Sequence, residues 1–157
     1  MKLSTKLGKM LTLVLTASTL ALTAQAVENK VIYGDDNRLD VYETSDALHL
    51  TLAKSTAAMI ATSKVTIDAD EATIEGSSLS SRGICATAKF ANQMTAANCS
   101  GFLVGEDLLV TAGHCIRTQS DCEGSYWVFD FAVEVNGETA AKVPANSVYK
   151  CKDPGCF

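Results

Sequence analysis

The sequence predicts an all-β fold, a small antiparallel barrel or sandwich. Three observations predict it. Two apolar runs, "GFLV" and "LLVT", are joined by Gly105-Glu106-Asp107 and read as a β-hairpin. The stretch "SYWVFDFAVEVNGE" alternates, with Trp127, Phe129, Phe131, Val133 and Val135 on one face of a half-buried strand. Asn136-Gly137 then reads as a tight turn. Helix signals are weak: the one segment with them is Ser45–Ala53, where Ser45 or Asp46 is placed to cap.

The chain has 157 residues, enough for one ordinary domain, but its start does not belong to that domain. Residues 1–26 open with Lys2, Lys6 and Lys9, continue with an apolar run from Met10 to Leu22, and end in Ala24-Gln25-Ala26. This is the layout of a secretory signal peptide, with cleavage expected after Ala26. A membrane anchor is the alternative, but the apolar run is short and carries several threonines. Export places the mature chain outside the cytoplasm, secreted or periplasmic. The formal charge of −5 becomes more negative once the three signal lysines leave. An acidic chain without basic clusters argues against nucleic acid or an anionic membrane as partner. Nothing in the pattern fixes an oligomeric state.

Beyond the signal, residues 27–54 are polar and end in the short helical segment. Residues 55–98 mix β-type runs with "EGSSLSSRG", whose serines and glycines read as an exposed loop. Residues 99–157 are the most β-like part. The expected layout is therefore a signal peptide over 1–26, an N-terminal extension over 27–54 and a barrel over 55–157.

All six cysteines lie after the signal. Export and an even count favour disulfides. A hairpin brings its ends together, so Cys99 and Cys115 are placed to bond; closing such a loop contributes about 3 kcal/mol. Cys122 and Cys151 flank neighbouring β segments and form the next expected pair. Cys85 and Cys156 are left to each other or to partners beyond residue 157. Metal binding is not expected, because the cysteines lack Cys-x-x-Cys spacing and the two histidines, His49 and His114, are far apart. No cofactor is expected either. Tyr33, Tyr42 and His49 carry no detectable chemistry, and His49 reads as a face residue of the short helix.

His114 is different. It follows Ala112-Gly113 at the end of a strand and precedes Cys115. A strand end anchored by a disulfide is a suitable support for a general base. The whole stretch "CSGFLVGEDLLVTAGHC" resembles the histidine motif of the trypsin/chymotrypsin-like serine proteases. In that family a cysteine opens a hairpin whose second strand ends in Thr/Ser-Ala-x-His-Cys. "VIYGDDNRLDV" (Val31–Val41) is similar to the N-terminal segment of the bacterial glutamyl-endopeptidase-like branch. The resemblance implies a double-barrel fold, protein or peptide substrates, and His114 as general base of a His-Asp-Ser triad.

The partners of His114 are not convincingly present. Asp130-Phe131-Ala132-Val133 imitates the family's aspartate motif, but it follows the histidine too early and reads as a solvated or locally paired strand residue. Asp153 lies nearer the expected distance in a context, "CKDPGC", that does not match. Nothing resembles Gly-Asp-Ser-Gly-Gly, and Ser100 belongs to the histidine hairpin. The resemblance therefore implies an incomplete double barrel, namely the N-terminal part of a longer protease. A non-catalytic secreted binding module that reuses the barrel is the contrasting reading.

Lys30-Val31 resembles a zymogen cleavage site, where a new apolar N-terminus would order the active site; an ordinary exposed lysine is the equal alternative. N-terminal sequencing of the mature protein separates them. Cleavage at Lys30 gives a start at Val31, and signal removal alone gives a start at Val27.

Overall fold

The computed structural model describes residues 35–152. The signal-peptide segment, the Lys30-Val31 bond, Asp153 and Cys156 lie outside the described residues. From Arg38 onward the chain forms one compact unit. Its elements in order are α1 (Ala47–Lys54), β1 (Thr56–Ala61), β2 (Val65–Asp68), β3 (Glu71–Ile74), β4 (Ser77–Ser78), β5 (Met94–Thr95), β6 (Cys99–Leu103), β7 (Leu109–Thr111), α2 (Gln119–Glu123), β8 (Ser125–Val128), β9 (Lys142–Pro144) and β10 (Val148–Lys150). Short 3-10 turns join several of them.

The fold is all-β. A five-stranded sheet runs β10-β8-β1-β6-β7, a three-stranded sheet runs β2-β3-β9, and β4 pairs with β5. Every pairing is antiparallel. Among the described residues no sheet closes on itself, so the barrel is open and incomplete.

β1 and β8 lie in the middle of the large sheet, and both of their faces are buried. Ile60 and Val128 point to one face, where they pack with Ala72, Ile74, Ala96 and Val143. Ala57, Met59, Trp127 and Phe129 form a second cluster on the other face. Alternation along the strands creates this division, because successive side chains point to opposite faces. The register sets Met59 opposite Trp127 and Ala58 opposite Val128.

The expected half-buried strand over 125–135 is therefore corrected. Trp127 and Val128 are both buried, so the two faces are not apolar and polar. The strand also ends at Val128. Asp130 adopts φ +56°, and Ala132 N–H donates to the Asp130 carbonyl, so the chain bends there. Aspartate tolerates this left-handed region better than most residues. Val135 is exposed. Asn136-Gly137 does form a turn, with Glu138 N–H donating to the Val135 carbonyl and Gly137 at φ +85°. It does not close a hairpin, because the next strand, β9, pairs with β3.

The serine-rich stretch is more ordered than a loop. Ser77 and Ser78 pair with Thr95 and Met94. Arg82 Nε donates to Ser77 Oγ, and Ser81 Oγ donates to the Ser78 carbonyl. The chain then turns at Gly83, φ +93°. One hairpin was not evident in the sequence: β2 and β3 are joined across Ala69-Asp70, with Asp68 opposite Glu71. Ala69 sits at φ +41°, where glycine or asparagine would ordinarily advertise the turn.

α1 forms near the place its cap predicts. The Asp46 carboxylate accepts from Leu48 N–H and His49 N–H at 2.9 and 3.0 Å. The His49 amide bond is the main cause that holds this carboxyl below its ordinary pKa. No residue of α1 is buried, so local capping rather than core burial defines the helix.

Gly101 on β6 is closely packed. A Cβ there would lie 2.4 Å from Leu109 Cδ2, 2.9 Å from the Val110 carbonyl oxygen and 3.0 Å from the Trp127 ring. Gly101→Ala should therefore destabilise the protein by about 1–3 kcal/mol, through overpacking against backbone and indole. Urea denaturation followed by Trp127 fluorescence measures this.

Candidate functional site

The site is built on the β6–β7 hairpin. Gly101 pairs with Thr111, Phe102 with Val110 and Leu103 with Leu109. Val104 N–H donates to the Leu108 carbonyl and closes the tip around Gly105-Glu106-Asp107. Thr111 Oγ1 donates to the Ser100 carbonyl at 2.8 Å and ties the end of β7 back to β6. The chain then turns sharply, with Cys115 N–H donating to the Ala112 carbonyl at 2.8 Å. Gly113 and His114 are the two central residues of that turn.

A disulfide joins Cys99, the first residue of β6, to Cys115, the last of the turn, with Cα atoms 6.2 Å apart. Both cysteines pack against the Trp127 cluster, as do Leu109 and Ile116. The turn is thus pinned to β6 covalently and to the sheet by apolar contact. His114 itself is exposed. One of its ring nitrogens lies within 4.8 Å of the two cysteine sulfurs. Such a trio of donors has the composition of a metal site, but the sulfurs are bonded to each other and offer no thiolate. The arrangement is an imidazole resting beside a disulfide.

Gly113 has a smaller role than its smallness implies. A Cβ there would meet nothing within 4 Å, and its φ is not in the left-handed region. The hairpin glycine that sterics demand is Gly101, beneath Trp127.

Among the described residues, no hydrogen bond holds the His114 ring and no carboxylate pairs with it. Asp130 is engaged elsewhere: its Oδ2 accepts from Ser147 Oγ at 2.6 Å. Ser147 is buried, and its carbonyl also accepts from Phe129 N–H. The pair satisfies a buried hydroxyl and fixes the bend at the end of β8. It gives Asp130 a local structural role past the strand, rather than a place on the strand's outer face. Ser100 is exposed on β6, and its carbonyl serves the hairpin.

The second disulfide, Cys122–Cys151, spans Cα atoms 5.2 Å apart. It links α2 to the end of β10, the strand that pairs with β8. Cys122 is fully buried, and Cys151 packs beside the Trp127 cluster. Both bridges therefore border the cluster that supports His114. Cys85 is exposed and unbonded among the described residues. His49 lies exposed on α1, away from this hairpin in sequence, where its charge acts on the Asp46 carboxylate.

Between the two bridges, α2 is started by a reciprocal cap that the sequence reading missed. Thr118 Oγ1 accepts from Asp121 N–H at 3.2 Å, and Asp121 Oδ2 accepts from Arg117 N–H and Thr118 N–H at 3.0 and 2.9 Å. The Thr-x-x-Asp spacing, a variant of the capping box, was the available signal.

The hydrogen bond from Arg117 N–H, followed by that from the Thr118 hydroxyl, holds the Asp121 carboxyl below its ordinary pKa. A depressed folded-state pKa means the cap contributes fully above the unfolded value of about 3.9 and is lost as pH falls through the folded value. Carboxyl-resolved NMR titration should give Asp121 a midpoint below that of an unstructured aspartate. Asp121→Asn should remove this component of acid sensitivity.

The family model described as Trypsin matches residues 73–152, about half of the chain. No curated protein and no solved structure matches it. The matched segment spans the hairpin, the His114 turn, both disulfides and the β8–β10 pair. This chain belongs to the trypsin family and has a serine-protease-type fold.

Proposed function

We propose that the chain supplies the first barrel and the general base of an exported serine endopeptidase. The observation that carries this reading is the exposed imidazole of His114, at the end of β7 on a disulfide-pinned turn, in a chain of the trypsin family. In this reading His114 takes the proton from a serine hydroxyl as the serine attacks a peptide carbonyl. It then returns the proton to the leaving amine. An aspartate orients the ring, and backbone N–H groups stabilise the oxyanion. The serine motif is not among these 157 residues. The layout is a signal peptide over 1–26, an N-terminal or activation segment over 27–54 and the first barrel over 55–157. "VIYGDDNRLDV" supports placement in the glutamyl-endopeptidase-like branch. Disulfides fit an oxidising compartment, and no helix among the described residues is long and apolar enough to cross a membrane.

One observation favours a second reading, a secreted binding module without catalysis. The only aspartate in a motif like the family's, Asp130, is held by Ser147 and not by His114. A fluorophosphonate probe, which labels activated serines, separates the readings. The chain over 27–157 should stay unlabelled. A product extended past residue 157 through a Gly-Asp-Ser-Gly-Gly motif should label, and His114→Ala in it should slow labelling by about a millionfold. Labelling of 27–157 alone, or His114→Ala without effect, overturns the protease reading as stated. A natural product that ends at Phe157 and never labels supports the module.

A further inference from the structure

Residues 38–43 are strapped onto the loop that precedes β5. The Arg38 guanidinium carbon lies 5.0 Å from the centroid of the Phe90 ring. The Lys89 ammonium is also 5.0 Å from that centroid. Lys89 Nζ donates to the Arg38 carbonyl oxygen. Two residues on, Gln93 Nε2 donates to both carboxylate oxygens of Asp40, at 2.8 and 2.7 Å. Asp40 N–H in turn donates to Glu43 Oε2 at 2.8 Å, and Asp40 caps the 3-10 turn Val41–Glu43. Phe90 adopts φ +65°. A bulky side chain persists in that region only when surrounding contacts over-determine it.

The strap has a consequence for proteolysis. Arg38-Leu39 is a basic–apolar dipeptide of the same kind as Lys30-Val31, and both of its residues are exposed. An endopeptidase that cuts after basic residues has three requirements. The arginine side chain must reach into a pocket, its carbonyl oxygen must enter an oxyanion hole, and the flanking backbone must extend. Here the side chain is stacked on Phe90. The carbonyl oxygen is held by Lys89. The backbone coils into a 3-10 turn from Val41.

We propose that Arg38–Leu39 is a latent processing site for endopeptidases that cleave after basic residues, masked by the Phe90 clamp and opened when the clamp releases. The clamp is thus a conformational gate on cleavage at this one bond. This inference does not depend on whether the chain is itself catalytic.

The test uses the full chain with its disulfides intact and trypsin as the probe. Cleavage at Arg38–Leu39 is followed by intact mass and compared with a free peptide spanning residues 35–43. The wild-type bond should be cut at least about tenfold more slowly than the peptide, and Lys89→Met and Phe90→Leu should each speed cutting about tenfold. Arg38→Gln combined with Phe90→Leu should abolish the new fragment and so confirm the bond. Native Trp127 emission reports that each variant is folded, and Lys89→Met, at an exposed side chain, carries the test if Phe90→Leu unfolds. A wild-type bond cut as fast as the peptide overturns the proposal. So does a folded Lys89→Met that cuts no faster than wild type.

Discussion

The close approach of Trp127 to Gly101 is the contact on which the rest of the site depends. With no side chain at Gly101, the indole can lie against β6 while Leu109 reaches over from β7. The indole, Met59, Ala57 and Phe129 then form an apolar bed on one face of the large sheet. Both disulfides lie along its border. The His114 turn is held through this bed, because Cys115 and Ile116, the two residues that follow His114, pack there. An imidazole can be exposed and still well placed when its backbone neighbours are fixed in this way.

The same sheet explains why the core is divided. β1 and β8 are central strands, so their two faces serve two clusters. The three-stranded sheet contributes Ala72, Ile74 and Val143 to one cluster only. That cover does not extend under the hairpin. Phe102 and Val110, which face each other across β6 and β7, remain 52% and 38% exposed. The open edge of the barrel and the exposed apolar hairpin are two aspects of one geometry.

Local chemistry and long-range packing differed in how legible they were. The hairpin was legible because its two apolar runs, polar tip and terminal cysteines are adjacent in sequence. The α1 cap was legible because an Asx cap acts over three residues. The end of β8 was not, because the pattern of alternating residues continues past Val128 while the chain bends at Asp130. The bend depends on Ser147, a partner far along the chain. The β2–β3 hairpin was hidden for a related reason: tertiary pairing holds Ala69 in a conformation its sequence does not advertise.

The sequence by itself determined the all-β class, the position of the histidine on its hairpin and the absence of a serine-protease nucleophile motif. Each of these is written in residues close together along the chain. Only the tertiary structure decided that Trp127 and Val128 are both buried, that Asp130 serves Ser147 and that Arg38 lies stacked on Phe90. Those outcomes depend on which strands become neighbours and which side chains then compete for the same partner. Periodicity along one segment carries no information about that competition.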